Sequence, residues 1–164
     1  MQSSAPVSAF AEIDIAATDR EVWTVLADVA SWPTWNPAIR HAVCGEELEV
    51  GTKFRFSTEI GTISCRFTEL DAPSRLAWKG RVLAFGERQT WLLEPTDAGT
   101  HVAVRAEMTG LGARIFRKRL DERLQNVLDA LVELLRLEAE TRAAEERDDA
   151  THTADAEGRD TPHE

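Results

Sequence analysis

The sequence predicts an α+β protein in which a curved antiparallel sheet of about seven strands wraps around one long C-terminal helix. Three observations carry this prediction. Apolar and polar residues alternate with a period of two over residues 39–108, turn-forming residues interrupt the alternation, and a helical period then continues for about thirty residues. Such alternation is typical of an antiparallel sheet with one face in water. The amphipathic helix must then cover the apolar face of that sheet.

The N-terminal region predicts one strand followed by two short helices. Residues 9–16 alternate unevenly, which favours a strand. Thr18 and Glu21 have the spacing of a capping box, in which each side chain satisfies a backbone amide of the other residue at the start of a helix. Pro33 cannot continue that helix. Residues 31–37, Ser-Trp-Pro-Thr-Trp-Asn-Pro, are therefore expected to form a turn or a second small helix.

Five alternating runs then predict the body of the sheet, and turn chemistry separates them. Residues 60–62, Ile-Gly-Thr, are short enough for a tight hairpin. The inward positions of these runs are rich in aromatic rings, namely Phe54, Phe56, Phe67, Trp78 and Trp91. Such rings either fill the core or form the aromatic wall of a small-molecule site, and the pattern leaves both interpretations open.

After Gly110 and Gly112 the period predicts one helix over residues 113–142. Its apolar stripe is expected to consist of Phe116, Leu120, Leu124, Val127, Leu128, Leu131, Leu134 and Leu135. Residues 143–164 hold eight acids, two bases and no Leu, Ile, Val or aromatic residue. They are predicted to be a disordered acidic tail, which leaves residues 1–142 as a single domain.

The composition of the 164 residues, with 29 acids against 19 bases and a net charge of −10, indicates a soluble globular protein. The acidic balance argues against a nucleic-acid partner and against docking on anionic lipid. No apolar run approaches the length of a membrane span, so stable membrane insertion is not expected. The start of the chain lacks the pattern of a secretory signal, and Cys44 and Cys65 lack metal-binding spacing. A cytoplasmic protein with free thiols and no metal site is expected.

The order of these elements resembles the START-like superfamily. The motif at residues 31–37 carries the resemblance, together with residues 76–80 (Leu-Ala-Trp-Lys-Gly), 89–95 and 99–102. More specifically, the chain resembles the polyketide cyclase/dehydrase and lipid-transport proteins (the SRPBCC family) over roughly residues 8–138. The resemblance implies a helix-grip fold, an internal cavity for an apolar or amphipathic ligand, and no metal or nucleotide cofactor. The family contains carriers, cyclases, receptors and chaperone activators, and a fold does not choose among them.

The inward pattern and the resemblance together give a set of expected ligand-binding residues. These are Trp35, Phe54, Phe56, Phe67, Trp78, Glu87, Gln89, Trp91, Val104, Met108, Phe116, Leu120 and Leu124. Glu87 and Gln89 are the polar candidates because they share the inward phase of Trp91, although Glu87 also fits a solvated carboxylate at a strand end. Trp35 fits either a cavity rim or a packing plug. Catalytic residues are left unassigned, since His41 and His101 show no partners that would indicate a triad.

Three functions remain at this point. The first hypothesis is a protein that binds or transports a hydrophobic or amphipathic small molecule such as a lipid, a quinone or a polyketide. The second is an enzyme of the polyketide cyclase/aromatase type, which would need proton donors in the cavity, and the chain has no tyrosine to serve as one. The third is a protein-interaction module on the same fold. A weak homodimer is left open.

Overall fold

The computed structural model describes residues 5–157 and has the predicted α+β architecture. One seven-stranded antiparallel sheet has the strand order β1-β7-β6-β5-β4-β3-β2. Its strands are β1 (Val7–Ile15), β2 (His41–Cys44), β3 (Lys53–Thr58), β4 (Gly61–Asp71), β5 (Arg75–Val82), β6 (Phe85–Thr96) and β7 (Gly99–Thr109). The helices are α1 (Asp19–Ala27), α2 (Trp32–Trp35), α3 (Leu111–Ile115) and α4 (Arg117–Glu157), with a 3₁₀ turn at Val29–Ser31 before α2.

The two helices after β1 form as the sequence predicts. The Glu21 backbone amide donates to the Thr18 hydroxyl (3.3 Å), and the Thr18 amide donates to the Glu21 carboxylate (2.7 Å), so the capping box is confirmed. Helix α1 then buries Val22 against the core. The second small helix, α2, buries Trp32 and Trp35. Together these helices cover part of the inner face of the sheet.

The period-two alternation is confirmed in the sheet. Along β3 the burial alternates from exposed Lys53 to buried Phe54, and β7 alternates in the same way. The hairpin between β3 and β4 turns at residues 59–60, and Gly61, with φ of 128°, begins β4. Only glycine adopts that backbone conformation without strain. A register shift between Phe67 and Glu69 bends β4 near its end.

The C-terminal helix differs from its prediction at its start. The short helix α3 precedes it, and α4 begins only at Arg117, because Phe116 leaves the helical conformation (φ −103°, ψ 20°). The sequence-based assignment of Phe116 to the inward stripe is wrong, since 53% of this residue is exposed. Val127, at 50% exposure, is a second residue of that stripe that faces solvent.

The buried stripe of α4 runs along a line rotated from the predicted one. It consists of Leu124, Leu128, Val132, Leu135, Ala139 and Ala143, each at most 8% exposed. Pattern analysis based on large apolar side chains passes over Ala139 and Ala143, which are small and lie at the far end of the stripe. Leu120, Leu131 and Leu134 are partly buried beside the stripe and pack against the core.

Helix α4 also extends further than predicted. It continues to Glu157, fifteen residues beyond the expected end at 142, and Ala143 is fully buried. The structure thus shows helix where disorder is expected over 143–157; residues 158–164 lie outside the described residues. No glycine or proline occurs between 143 and 157, and Ala, Glu and Arg have high helix propensity.

Helix α4 protects the free edge of the sheet. Because β1 is an edge strand, its outward amides and carbonyls need partners. Gln125 of α4 donates from Nε2 to the Phe10 carbonyl (2.8 Å) and accepts from the Phe10 amide (3.3 Å). Further along, Glu140 accepts from the Ala16 amide (2.9 Å).

Within residues 5–157, no helix combines the length and apolar character needed to cross a bilayer.

Candidate ligand-binding site

Strand β6 places three polar-tipped side chains in a line on the inner face of the sheet. Glu87 lies opposite Gly80 and Met108, on the strands at either side. In the same way, Gln89 lies between Trp78 and Ala106, and Trp91 lies between Leu76 and Val104. Residues two apart on a strand face the same side, so Glu87, Gln89 and Trp91 can contact one another directly.

A chain of hydrogen bonds joins these three side chains. The indole Nε1 of Trp91 donates to Oε1 of Gln89 (3.2 Å), and Nε2 of Gln89 donates to Oε1 of Glu87 (3.0 Å). Gln89 is buried, at 8% exposure, and Trp91 is buried at 2%. The chain of hydrogen bonds therefore starts in the core and ends at the Glu87 carboxyl. We call the three hydrogen-bonded side chains, Trp91, Gln89 and Glu87, the polar ladder.

The Glu87 carboxyl lies in a poorly solvated position. Burial raises its pKa above the ordinary value for glutamate, and the hydrogen bond from Gln89 only partly opposes that effect. Part of the residue remains accessible to solvent, so the group is enclosed without being sealed. Among the ion pairs of residues 5–157, none involves Glu87. This carboxyl is thus desolvated and forms no ion pair with a base in the described chain.

Cys65 lies on the neighbouring part of the same inner surface. Burial raises the pKa of its thiol, and the nearby charge of Glu87 raises it further. A thiol with a raised pKa is a poor nucleophile because little thiolate forms. Gly80 accommodates this side chain, since a Cβ at position 80 would lie only 2.7 Å from Sγ of Cys65. Cys65 is therefore a packing residue of the inner face.

An aromatic cluster fills the inner face on the side of β3 to β5. Its members are Trp32, Phe54, Phe56, Phe67 and Trp78. The Phe54 and Phe67 rings have centroids 4.6 Å apart, and Trp78 meets both Phe54 and Phe56 edge-on at 5.8 Å. Trp32 closes the cluster against Phe54 at 5.7 Å. Because these rings pack mainly on one another, their ligand-lining role stays a prediction.

Trp35 has an unused hydrogen-bond donor. The residue is buried at 8% exposure, and its Nε1 has no partner within the described residues. A buried N–H without an acceptor costs about 1–3 kcal/mol, so a water or a ligand oxygen would stabilise it. Its neighbour Asn36 accepts from the Ala38 amide (3.1 Å) and shapes the turn, as the residue type predicts.

One end of the molecule presents exposed apolar side chains around the inner face. We call this set the apolar rim, and it consists of Ile60, Leu83, Leu111, Ile115 and Phe116, each at least 51% exposed. Close approaches bring their segments together. A Cβ at Gly112 would lie 2.6 Å from the Phe85 ring, and Arg123 of α4 lies 3.9 Å from Glu59 in the β3–β4 hairpin. The inner face meets solvent here, two residues along β6 from Glu87.

The outer face of the sheet carries a feature that alternation alone does not reveal. Lys53, Arg66, Lys79 and Arg88 lie directly opposite one another on four adjacent strands. An open groove of about 1000 Å³ is lined by these bases and Arg81, and it also reaches Glu87 and Glu107. Like charges on facing positions repel, which favours extended side chains. The sequence indicates the outward phase of each base, but the shared row requires the strand register.

Comparisons with known proteins agree with this architecture. The sequence profile of the family described as "Polyketide cyclase / dehydrase and lipid transport" matches residues 6–136, which is most of the chain. The chain belongs to this family. No curated protein matches the sequence. The family match confirms the START-like resemblance, and the fold is the helix-grip type that the resemblance implies.

Solved structures similar to this polyketide cyclase/dehydrase and lipid-transport family member share its fold at low identity. A hypothetical protein, jhp0584 from Helicobacter pylori, is 17% identical, with 85% of this chain and 91% of that chain covered and a TM-score of 0.74. The Zhui aromatase/cyclase from Streptomyces sp. R1128 is 20% identical, with coverages of 82% and 94% and a TM-score of 0.67. The di-domain ARO/CYC StfQ from the steffimycin biosynthetic pathway is 20% identical, with coverages of 84% and 52% and a TM-score of 0.70. The chain thus spans about half of StfQ.

In this family member the residues expected to bind ligand separate by position. Glu87, Gln89 and Trp91 form the polar ladder, and Val104 and Met108 flank it from β7. Leu124 is buried and Leu120 partly buried on the first turns of α4. Phe116 lies on the apolar rim instead of inside. The other rim residues were missed by sequence analysis, although apolar residues at turn positions, such as Leu83, are a usable signal.

The β7 histidine, His101, lies outside this region. His101 contacts Asp14 through Nδ1 (2.7 Å) and lies 3.5 Å from a Glu12 carboxylate oxygen on the outer side of the sheet. The Asp14 hydrogen bond raises the pKa of His101 more than desolvation lowers it. These groups are surface ion partners of β1 and β7, and they do not meet the polar ladder.

Proposed function

We propose that the protein binds a hydrophobic or amphipathic small molecule at the inner face of the sheet, with Glu87 and Gln89 as the polar anchor. The observation that carries this proposal is the polar ladder, which ends at an enclosed carboxyl with no basic partner in the described chain. The ligand would enter at the apolar rim. Its carbon skeleton would lie between Glu87 and the first turns of α4.

The chemistry of the ladder supports an anchor role. Enclosing a carboxyl in apolar surroundings is costly unless hydrogen bonds compensate, and Gln89 supplies only one. A protonated Glu87 can donate to a ligand carbonyl, and an ionised Glu87 can accept from a ligand hydroxyl or amine. Burial of ligand carbon contributes roughly 25 cal/mol per Å². The family description, which includes lipid transport, is consistent with a ligand held by a polar anchor and by burial of its carbon skeleton.

Binding of a neutral apolar amine tests the anchor. We expect N-phenyl-1-naphthylamine to bind saturably with enhanced fluorescence. Replacing Glu87 with leucine should weaken its affinity about tenfold or more, because hydrogen bonds to charged groups contribute about 1.5–3 kcal/mol. Glu94→Leu is the matched control, since Glu94 is an exposed residue of the same strand. Equal affinity in the two variants, or no saturable binding by the unmodified protein, would contradict the proposal.

A cyclase is the second candidate, and the raised pKa of Glu87 favours it. A carboxyl whose pKa approaches the working pH can give and take protons during a reaction. In an aldol cyclisation, a base removes a proton next to one carbonyl, the resulting carbon attacks a ketone, and the new alkoxide gains a proton. The new carbon–carbon bond closes the ring, and loss of the hydroxyl with a neighbouring proton, as water, then introduces a double bond. Glu87 is positioned to exchange these protons, and two of the similar structures are named as aromatase/cyclases.

Product analysis separates the enzyme from the carrier. A linear poly-β-ketone thioester would be incubated with the protein and examined by mass spectrometry. An enzyme should return a product that has lost water, and Glu87→Gln should abolish this conversion while N-phenyl-1-naphthylamine still binds. A carrier, with or without the Glu87→Gln substitution, should leave the conversion no faster and no more selective than that of the thioester in buffer alone. If the Glu87→Gln variant still converted the thioester, Glu87 would not be the group that exchanges protons in the reaction.

A further inference from the structure

We propose that the end of the molecule bearing the apolar rim docks on an anionic lipid surface. The docking segment would be residues 111–119, which cover α3 and the start of α4, supported by the tips of the β3–β4 and β5–β6 hairpins. This inference concerns an external surface. It does not depend on the ligand proposed for the inner face.

Large apolar side chains are exposed at one end of the fold. Leu83 is 84% exposed, Leu111 69%, Ile115 65% and Phe116 53%. Leu83 occupies the tip of the β5–β6 hairpin with a φ of 51°, a conformation that leucine adopts only at a cost. Glycine or asparagine would suit that turn better. Leu83 is therefore a bulky apolar residue at a hairpin tip where it buries little surface and contributes little to the stability of the fold.

The docking segment is rich in bases. Arg114, Arg117, Lys118 and Arg119 are all exposed, and no acid lies between residues 111 and 120. Arg117 comes within 3.9 Å of Asp121, which is a long contact for an ion pair. Four bases thus flank Ile115 and Phe116 within six residues, in a chain whose net charge is −10. An apolar surface flanked by bases is the composition of segments that lie in a membrane interface.

The net acidity of the chain argues against anionic lipid when taken as a whole, but six of its ten net negative charges lie in residues 143–164. Glu145, Glu146, Asp148 and Asp149 lie on the exposed far part of α4. About thirty helical residues separate them from Arg117, which corresponds to roughly 45 Å along the axis. At physiological ionic strength, screening acts over about 8 Å. Together with Arg123, the four bases outnumber the three acids nearest the rim, Glu59, Asp121 and Glu122, and the distant acids do not cancel this excess.

Lipid explains the combination better than a purely polar partner would. Apolar side chains that project from hairpin tips and a helix start can enter the boundary between headgroups and acyl chains. Arginine and lysine beside them then contact lipid phosphates and carboxylates. Each base near such a surface contributes about fivefold to the binding constant. An acidic protein surface would use the bases, and it would need a matching apolar pocket for Leu83.

Vesicle co-sedimentation tests the proposal on the full chain. We expect binding to vesicles of phosphatidylcholine mixed with phosphatidylserine and little binding to phosphatidylcholine alone. The triple variant Arg117→Gln, Lys118→Gln, Arg119→Gln should lose about a hundredfold in affinity. The matched control removes the same charge from the outer row, as Lys53→Gln, Arg66→Gln, Lys79→Gln, and should bind nearly as well as the unmodified protein. Circular dichroism would establish that both variants fold.

A second variant tests the apolar contribution. Leu83→Ser combined with Ile115→Ser changes only exposed positions, so it should fold normally and should also lose most of its vesicle binding. The proposal is overturned if the unmodified protein does not bind the anionic vesicles, as would follow if the rim served an acidic protein. It is also overturned if the two charge variants weaken equally, or if the serine variant binds undiminished. A protein that fails here and still binds N-phenyl-1-naphthylamine would leave the proposed function intact.

Discussion

Replacing Phe54 with alanine should lower the free energy of unfolding by about 3–5 kcal/mol, the range measured for buried phenylalanines. Phe54 is 2% exposed and lies at the centre of the aromatic cluster, with ring contacts to Trp32, Phe56, Phe67 and Trp78. Removing its ring opens a cavity that these stiff neighbours cannot close. Chemical denaturation, monitored by tryptophan fluorescence, would measure the loss, because two tryptophans border the site.

The same substitution at Phe116 provides the control. Phe116 is 53% exposed on the rim, so Phe116→Ala should change the unfolding free energy by no more than about 0.5 kcal/mol. The pair compares identical chemistry at a buried and an exposed position. If Phe116→Ala proved as damaging as Phe54→Ala, the ring would belong to the core, as the helical period alone suggests. If Phe54→Ala were harmless, the aromatic cluster would be loosely packed.

The sheet could be predicted from the sequence because its pattern has a physical period that few other structures share. Alternation over Lys53 to Thr58 and along β7 fixes which side chains face inward, and turn residues fix where strands end. The capping box at Thr18 is equally local, since it depends on four consecutive residues. Short stretches of sequence determine such features, so they can be predicted without knowing the rest of the fold.

The helix was harder to predict because a leucine-rich segment offers more than one apolar stripe. Val127 lies beside the buried line of Leu124 and Leu128, and the helical period accepts both lines. The choice is made by contacts that are remote in sequence, in particular the hydrogen bonds from Gln125 to Phe10 and from Ala16 to Glu140. These tie one face of α4 to the edge of β1. No local pattern encodes that rotation.

In the candidate site, too, local sequence determines some features and contacts remote in sequence determine others. The common inward phase of Glu87, Gln89 and Trp91 is visible in the sequence, and it predicts that their side chains are neighbours. The direction of the hydrogen bonds and the solvation of Glu87 depend on what covers β6 from across the fold. The apolar rim likewise forms from three segments far apart in the chain. Each segment can be placed at an end of the sheet from its sequence, but the packing of the fold determines that the three segments meet.

Replacing Glu87 with glutamine should stabilise the protein at neutral pH. The free energy of unfolding should rise by about 1.4 kcal/mol for each unit by which the folded state raises the pKa of the Glu87 carboxyl. Because burial raises the pKa of Glu87, the folded state holds the proton to higher pH than the unfolded state does. The contribution of Glu87 to stability is therefore greatest at low pH. It declines as the pH rises from about 4.5, the ordinary value for glutamate, through the raised pKa, and is constant above it.

Glutamine preserves the ladder because its amide oxygen can still accept from Nε2 of Gln89, and it carries no charge to desolvate. The difference in unfolding free energy between Glu87→Gln and the unmodified protein should therefore grow from pH 4 upward and then level off. Denaturation curves recorded across this range on ligand-free, refolded protein would measure it. Glu94→Gln, at an exposed position of the same strand, should give a difference that stays nearly flat. A difference that shrinks with rising pH would mean that the folded state stabilises the ionised Glu87, which would contradict the desolvated carboxyl on which the proposed anchor rests.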